Sequence, residues 1–397
     1  MNIRKVLEKM IASRASDLHL KAGTSPIVRV DGVLYTLDDP APTAQQLRDV
    51  CNQLLNDEQR LYFSTHNEID FAFGVSGLAR FRANIFMQRS TPALALRHVP
   101  VEVPSIEELV LPSVVRELAF SPRGLILVTG RTGSGKSTTL ASMIDAINST
   151  TTRNIITVED PIEFLHRDNL SFIHQRELGL DTRSFHDGLK YVLRQDPDII
   201  LVGEVRDLET MRTALMAADT GHLVLSTLHT TDVVQTIQRI VSFYPPHQHD
   251  EVRLSMASNL RAVICQRLVP RVDGQGRVPA VEVMINTPTI KDYILNQDKT
   301  PMIQQSIAEG FSQYHMQTFD QSVLSLLRDG LISEEEALKN CNNPNELNLK
   351  LKGILATSDR TWQPIDAGHA SADEGISGLE TTHSPRSASG GSGRSGH

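Results

Sequence analysis

The chain has 397 residues, 40% of them hydrophobic and 22% charged, a composition that suits a soluble globular protein with room for two domains. Its formal net charge of −8 argues against a chain-wide affinity for nucleic acid, and no apolar run approaches the roughly 20 residues that span a bilayer. Three isolated cysteines, Cys51, Cys265 and Cys341, form no CxxC clamp, and the N-terminus lacks the apolar core and cleavage site of a signal peptide. Both features predict reduced thiols in the cytoplasm.

In chain order, Ile3, Val6, Leu7, Met10 and Ile11 fall on one helical face. "PIVRVDGVLYTL" follows, two apolar runs around Asp31-Gly32, a dipeptide that predicts a two-residue hairpin. "ARFRANIFM" alternates, with Phe81, Ala83 and Ile85 on one face and Arg80, Arg82 and Asn84 on the other. "ALALRHV" reads as a further strand that delivers Arg97 near its end. Residues 1–99 therefore read as a small α+β domain on an antiparallel sheet, and the Pro-rich, charged stretch 100–111 as a linker. From residue 112 the pattern changes. "GLILVTG", "NIITVED", "DIILVGE" and "HLVLSTLH" alternate with helical patterns, which predicts a parallel sheet covered on both faces. Helical stretches continue to about residue 355, and the Gly/Ser-rich tail 356–397 is expected to be disordered.

"LILVTGRTGSGKSTTL" has the form strand, Gly-rich loop, helix, and Gly130 to Ser137 fit G-x-x-x-x-G-K-[ST] in full. Such a loop brings backbone N–H groups against phosphate oxygens at a helix N-terminus whose dipole favours anions. Gly130, Thr132, Gly133, Ser134, Gly135, Lys136, Ser137 and Thr138 are thus the expected ATP-binding segment. Lys136 should reach the β- and γ-phosphates, and the Ser137 hydroxyl should ligate Mg²⁺. Hydrolysis also needs a metal-side carboxylate and a group that orients water. Glu204 ends one apolar strand, and Glu159, Asp160 and Glu163 cluster at the end of another. Strand C-termini are where ligands sit in open α/β sheets, so these acids and His229, which ends a third strand, are candidates. His222 lies at the other end of that strand, about 23 Å from His229 in extended backbone. The two histidines therefore cannot share one metal, and His222 is expected to face away from the nucleotide.

These motifs together resemble the retraction-type ATPases of type IV pili, the PilT/PilU branch of the secretion ATPase superfamily. "GRTGSGKST" matches the Walker A box, "ITVEDPIEF" the Asp box, "ILVGEVRDLET" the Walker B box and "GHLVLSTLHTTDVVQTIQRI" the His box. "SDLHLKAGTSPIVRVDG" and "ARFRANIF" look like the family's first domain, and "MQTFDQS" with "LISEEEAL" like its C-terminal helices. The resemblance implies an α/β fold: a RecA-like P-loop ATPase core over residues 112–355 with a smaller PAS-like domain over 1–99. It implies a hexameric ring that hydrolyses ATP with Mg²⁺, retracts pili and works against an inner-membrane platform protein, at the inner face of the cytoplasmic membrane. By the same resemblance Glu163 is the catalytic glutamate, Glu204 the Walker B acid that meets Mg²⁺ through water, and His222 and His229 the His box. Arg82 and Arg97 correspond to N-domain arginines that reach a nucleotide, a class of contact worth about 10³–10⁵ in turnover. Cys265 stands alone where the assembly ATPases usually carry a tetracysteine insertion, which favours the retraction branch. Two departures, Arg131 in the Walker A loop and "NTPTIKDYILNQD" at 286–298, leave room for an accessory PilU-like motor or a nucleotide-gated scaffold acting with a paralogous pilus ATPase.

Overall fold

The computed structural model describes residues 1–30 and 32–352; Asp31 and the Gly/Ser-rich tail lie outside them. Six antiparallel strands form the first sheet: β1 (Asp17–Lys21), β2 (Thr24–Val30), β3 (Val33–Thr36), β4 (Glu68–Val75), β5 (Ala79–Gln88) and β6 (Thr91–Val99), in spatial order β3-β2-β1-β6-β5-β4. Val30 pairs with Val33, so the β2–β3 connection has the two-residue length that Asp31-Gly32 predicts, with Gly32 at φ +83°. The helices Ile3–Ala12 and Ala44–Leu54 cover one face. Their Val6, Leu7, Met10, Leu47 and Val50 pack with Phe81, Ala83 and Ile85, the three residues that the alternation in β5 places together. Period two then puts Arg80, Arg82 and Asn84 on the opposite face, about 6.6 Å apart along the strand.

The second sheet has seven strands: β7 (Gly124–Thr129), β8 (Asn154–Glu159), β9 (Phe172–Glu177), β10 (Ile199–Val202), β11 (Leu223–Leu228), β12 (Leu260–Pro270) and β13 (Arg277–Ile285). The order is β13-β12-β7-β11-β10-β8-β9, and every pairing is parallel except β12–β13. Strands β7, β10 and β11 are buried at every position, which explains their unbroken apolar runs: a parallel sheet with helices on both faces offers no polar side. Helix Lys136–Asn148 lies on one face, its Leu140, Met143 and Ile144 packed with Ile126, Val128 and Leu225. The stretch 100–111 runs along this core, burying Ile106 and Leu111, while the Pro104 carbonyl accepts from the Ser142 hydroxyl at 2.6 Å. Within residues 286–298 lies a helix, Pro288–Leu295, capped by Thr287 and anchored by buried Ile290 and Ile294.

The first sheet meets the second through its polar face. Arg80 donates to Glu177 at the end of β9 at 2.9 Å, with both side chains largely withdrawn from water. Phe81 on the other face is fully buried and stacks on Phe73. Phe81→Ala should therefore lower stability by about 3–5 kcal/mol, seen as an earlier unfolding transition in chemical denaturation. An unchanged transition would show that this face is not the core of the N-terminal region.

Candidate active site

The loop from Gly130 to Gly135 turns the chain from β7 into the helix Lys136–Asn148, with Gly130 at φ +148°, Gly133 at +78° and Gly135 at +90°. Only glycine adopts such backbone without strain. At Gly130 space forbids anything larger, because a Cβ would strike the Ser134 hydroxyl and lie 2.6 Å from the Gln266 carbonyl. Lys136 is buried, its ammonium donating to the Gly130 carbonyl at 2.9 Å and the Arg131 carbonyl at 3.2 Å. Burial lowers its pKa, and the charges of the Glu204 and Glu163 carboxylates oppose that shift. The Ser134 hydroxyl is buried without a partner. An unpaired donor in a glycine cradle beside a buried ammonium fits a phosphate oxygen.

Lys136, Ser137, Glu163, Glu204, His229 and Arg82 all line one cavity of about 680 Å³ at the C-terminal ends of the parallel strands. Each acid arrives by a distinct local device. Strand β10 ends at Val202, and Gly203 then passes so close to β8 that a Cβ would lie 3.2 Å from the Glu159 Cα. Glu204 follows, with one oxygen 3.0 Å from His229 Nε2 and the other accepting from Arg206 Nε at 2.9 Å. Arg206 continues to Asp160 at 3.2 Å, so Asp160, Arg206, Glu204 and His229 form one chain of linked polar side chains. The hydrogen bond that Arg206 donates to Glu204, with the pull of both carboxylates, raises the Arg206 pKa. The β10 and β11 ends are tied together by two hydroxyls: Ser226 donates to the Val202 carbonyl and Thr227 to the Gly203 carbonyl, each at 2.7 Å. These bonds fix the separation of Glu204 from His229.

Glu163 is exposed into the cavity, on the segment that follows β8. Glu159, at the strand end, is half-buried instead. Burial raises its pKa, against hydrogen bonds from Thr157 and Gln175. It belongs to the support of the segment more than to the open cavity.

Not every expected residue reaches the cavity. Arg97 lies opposite Asp17 in the β1–β6 ladder, and its Nε donates to Asp17 at 2.8 Å. Its side chain, 63% exposed, lines a neighbouring cavity of about 500 Å³. Arg82 borders both cavities. His222 sits at the opposite end of β11, its ring 2.9 Å from the Ala217 carbonyl, and does not line the site. Arg206 and Arg277 do line it, although neither stands out in the sequence. Arg206 could have been found from its place two residues after Glu204, whereas Arg277 arrives from the far hairpin by tertiary packing alone.

His166 also borders the cavity. Its Nδ1 is buried without a partner, and burial pushes the imidazole down to about 4. In the unfolded chain the ring takes its proton near 6.5. Between those values the unfolded state binds more protons than the folded one, so this ring's contribution to stability falls as pH drops from 6.5 to 4. Thermal unfolding of wild type and His166→Asn across that window should give a shallower pH dependence for the variant. Parallel curves would show that the ring is protonated in the folded protein.

A family model described as "Type II/IV secretion system protein" matches residues 1–339. The type IV pilus retraction ATPase PilT of Pseudomonas aeruginosa is 44% identical over 344 residues, 87% of this chain and 99% of that protein. The type IV pilus ATPase PilU of the same organism is 39% identical over 355 residues, 89% of this chain and 92% of that protein. A crystal structure of the pilus retraction motor PilT with bound ADP matches with a TM-score of 0.80 at 44% identity, covering 88% of this chain and 99% of that one. The chain therefore belongs to the type II/IV secretion system protein family, in the branch of the PilT and PilU pilus ATPases.

Proposed function

We propose that this protein is a Mg²⁺-dependent ATPase that works as a homohexameric ring and drives type IV pilus retraction, and hence twitching motility. The observation that carries the reading is the convergence of Lys136, Glu163, Glu204, His229 and Arg82 on one cavity. The glycine loop and the helix N-terminus hold the triphosphate, and Lys136 exchanges loop carbonyls for phosphate oxygens. Glu163, exposed beside the ammonium, accepts a proton from the attacking water and aligns it. His229 is oriented by Glu204 at the end of β11, on the wall of the cavity that would receive the γ-phosphate. The donor set fits Mg²⁺: a serine hydroxyl and a carboxylate are hard oxygen ligands. Both Glu204 oxygens are already engaged by His229 and Arg206, which suits contact through water, while Ser137 suits direct ligation. When bound, Mg²⁺ neutralises charge on the β- and γ-phosphate oxygens.

Arg82, on the sheet of residues 1–99, adds a cation from outside the 112–355 core, so nucleotide state and the placement of the PAS-like domain become linked. Arg97, exposed and turned away, is available to a neighbouring protomer. Repeated around a ring, this linkage converts hydrolysis into movement against an inner-membrane platform protein. The likeness to the pilus retraction ATPase supports a motor that works from the cytoplasm at the membrane's inner face; among the described residues no helix is long and apolar enough to cross a membrane. Nothing in the charge pattern supports a nucleic-acid substrate.

Lys136→Ala should abolish both nucleotide binding and phosphate release. Glu163→Gln should keep ATP binding and lose about 10²–10⁴ in turnover, and Arg82→Ala about 10³ or more. Phosphate release from Mg²⁺-ATP, measured alongside native mass, checks all three, and wild-type turnover in Glu163→Gln would overturn the assignment. The similarity to PilU over 92% of its length supports a second reading, an accessory protein that gates a paralogous motor. Cells carrying Glu163→Gln lose twitching under the first reading and keep it if binding alone suffices.

A further inference from the structure

Glu163 sits on an irregular segment between β8 and β9, where no strand ladder satisfies the backbone. Buried backbone groups in such a segment need other partners, and the two on either side of Leu165 find theirs in one side chain. Gln175 stands in the middle of edge strand β9, paired with Thr157 of β8. Its Oε1 accepts from the His166 N–H at 2.9 Å, while its Nε2 donates to the Phe164 carbonyl at 2.9 Å and to Glu159 Oε1 at 3.1 Å. These three anchors bracket Glu163: four residues before it, next to it and three residues after it. The surroundings also fix the orientation of the amide, because a flipped Gln175 would set its oxygen against a carbonyl and a carboxylate. Among neutral side chains only a carboxamide offers two donors and an acceptor from one planar group. Two residues on, and on the same face of β9, Glu177 accepts from the Ile162 N–H at 3.4 Å.

We infer that Gln175 is a positioning residue for Glu163: it holds the segment that carries the carboxylate in the conformation where that carboxylate faces the cavity. The inference rests on the reading of Glu163 as the group that aligns the attacking water. Gln175 does not line the nucleotide cavity, so it acts on the reaction only through the segment. Glutamate at this position would keep the acceptor for His166 but set a second carboxylate against Glu159. Leucine would fill the volume and remove all three bonds.

The test is a kinetic cycle with Gln175→Leu, Glu163→Gln and the double variant, reading phosphate release from Mg²⁺-ATP, the KM for ATP and the affinity for a fluorescent ATP analogue. A displaced catalytic group costs up to about 100-fold, so Gln175→Leu should lose about 10- to 100-fold in kcat. Affinity for the analogue should stay within about threefold, because that segment contributes little to ground-state binding. In the Glu163→Gln background the same substitution should change the residual rate by less than about twofold, since residues acting as a unit are not additive. Wild-type kcat in Gln175→Leu overturns the inference. So does an equal loss repeated in the Glu163→Gln background, or a loss of turnover matched by an equal loss of affinity. Should Gln175→Leu fail to fold, Gln175→Asn keeps the amide but shortens it by one methylene and is expected to show the same pattern. Wild-type turnover in Glu163→Gln alone overturns the reading of Glu163 itself, a result distinct from every outcome at Gln175.

Discussion

Parallel pairing of β7, β11, β10 and β8 is the constraint on which the rest of the molecule depends. Each strand carries apolar side chains toward both helical layers, and close packing against those layers, with the ladder hydrogen bonds, holds its register. With register fixed, the four strands end on the same side, and their next residues are the glycine loop, His229, Glu204 and the Glu159–Glu163 segment. The Ser226 and Thr227 hydroxyls add a second lock at the strand ends. A site assembled from four separate stretches of chain is thereby held by backbone hydrogen bonds and burial.

The parts of this arrangement that depend on local chemistry are readable in the sequence. The glycine loop announces itself because φ, space and the following helix all constrain adjacent residues. Glu204 and His229 are readable because each directly follows a continuous apolar strand, and β5 because strict alternation admits only one burial pattern. The residues that escape such a reading are those whose partners come from another element. Arg97 looks like Arg82 in sequence, yet the β1–β6 register sets it against Asp17 and outside the nucleotide cavity. Arg277 enters from a hairpin more than one hundred residues after the glycine loop, and Gln175 sits in an edge strand whose pattern says nothing of the segment it supports. At 286–298 the helix Pro288–Leu295 rests on the Thr287 cap and two buried isoleucines, Ile290 and Ile294.

The charged residues of the site are arranged in linked sets and are seldom alone. Asp160, Arg206, Glu204 and His229 are linked in sequence, and the charges of Glu204 and Glu163 act on Lys136. The polar face of β5 runs into the same set: of its three outward residues, Arg80 binds the end of β9, Arg82 enters the cavity and Asn84 bonds to Asp70. One alternating strand thus supplies both the burial that folds the first sheet and the polar contacts that join it to the second.

The Arg80–Glu177 pair has a mechanical meaning. Glu177 is almost wholly shielded, with a side chain only 7% exposed, and it also receives the Ile162 N–H from the segment that bears Glu163. A shielded pair is screened much less by dissolved ions than one on the surface. The joint between the two sheets therefore keeps its stiffness at physiological ionic strength. Glu177 thus ties the segment that bears Glu163 and the first sheet to a single point at the end of β9.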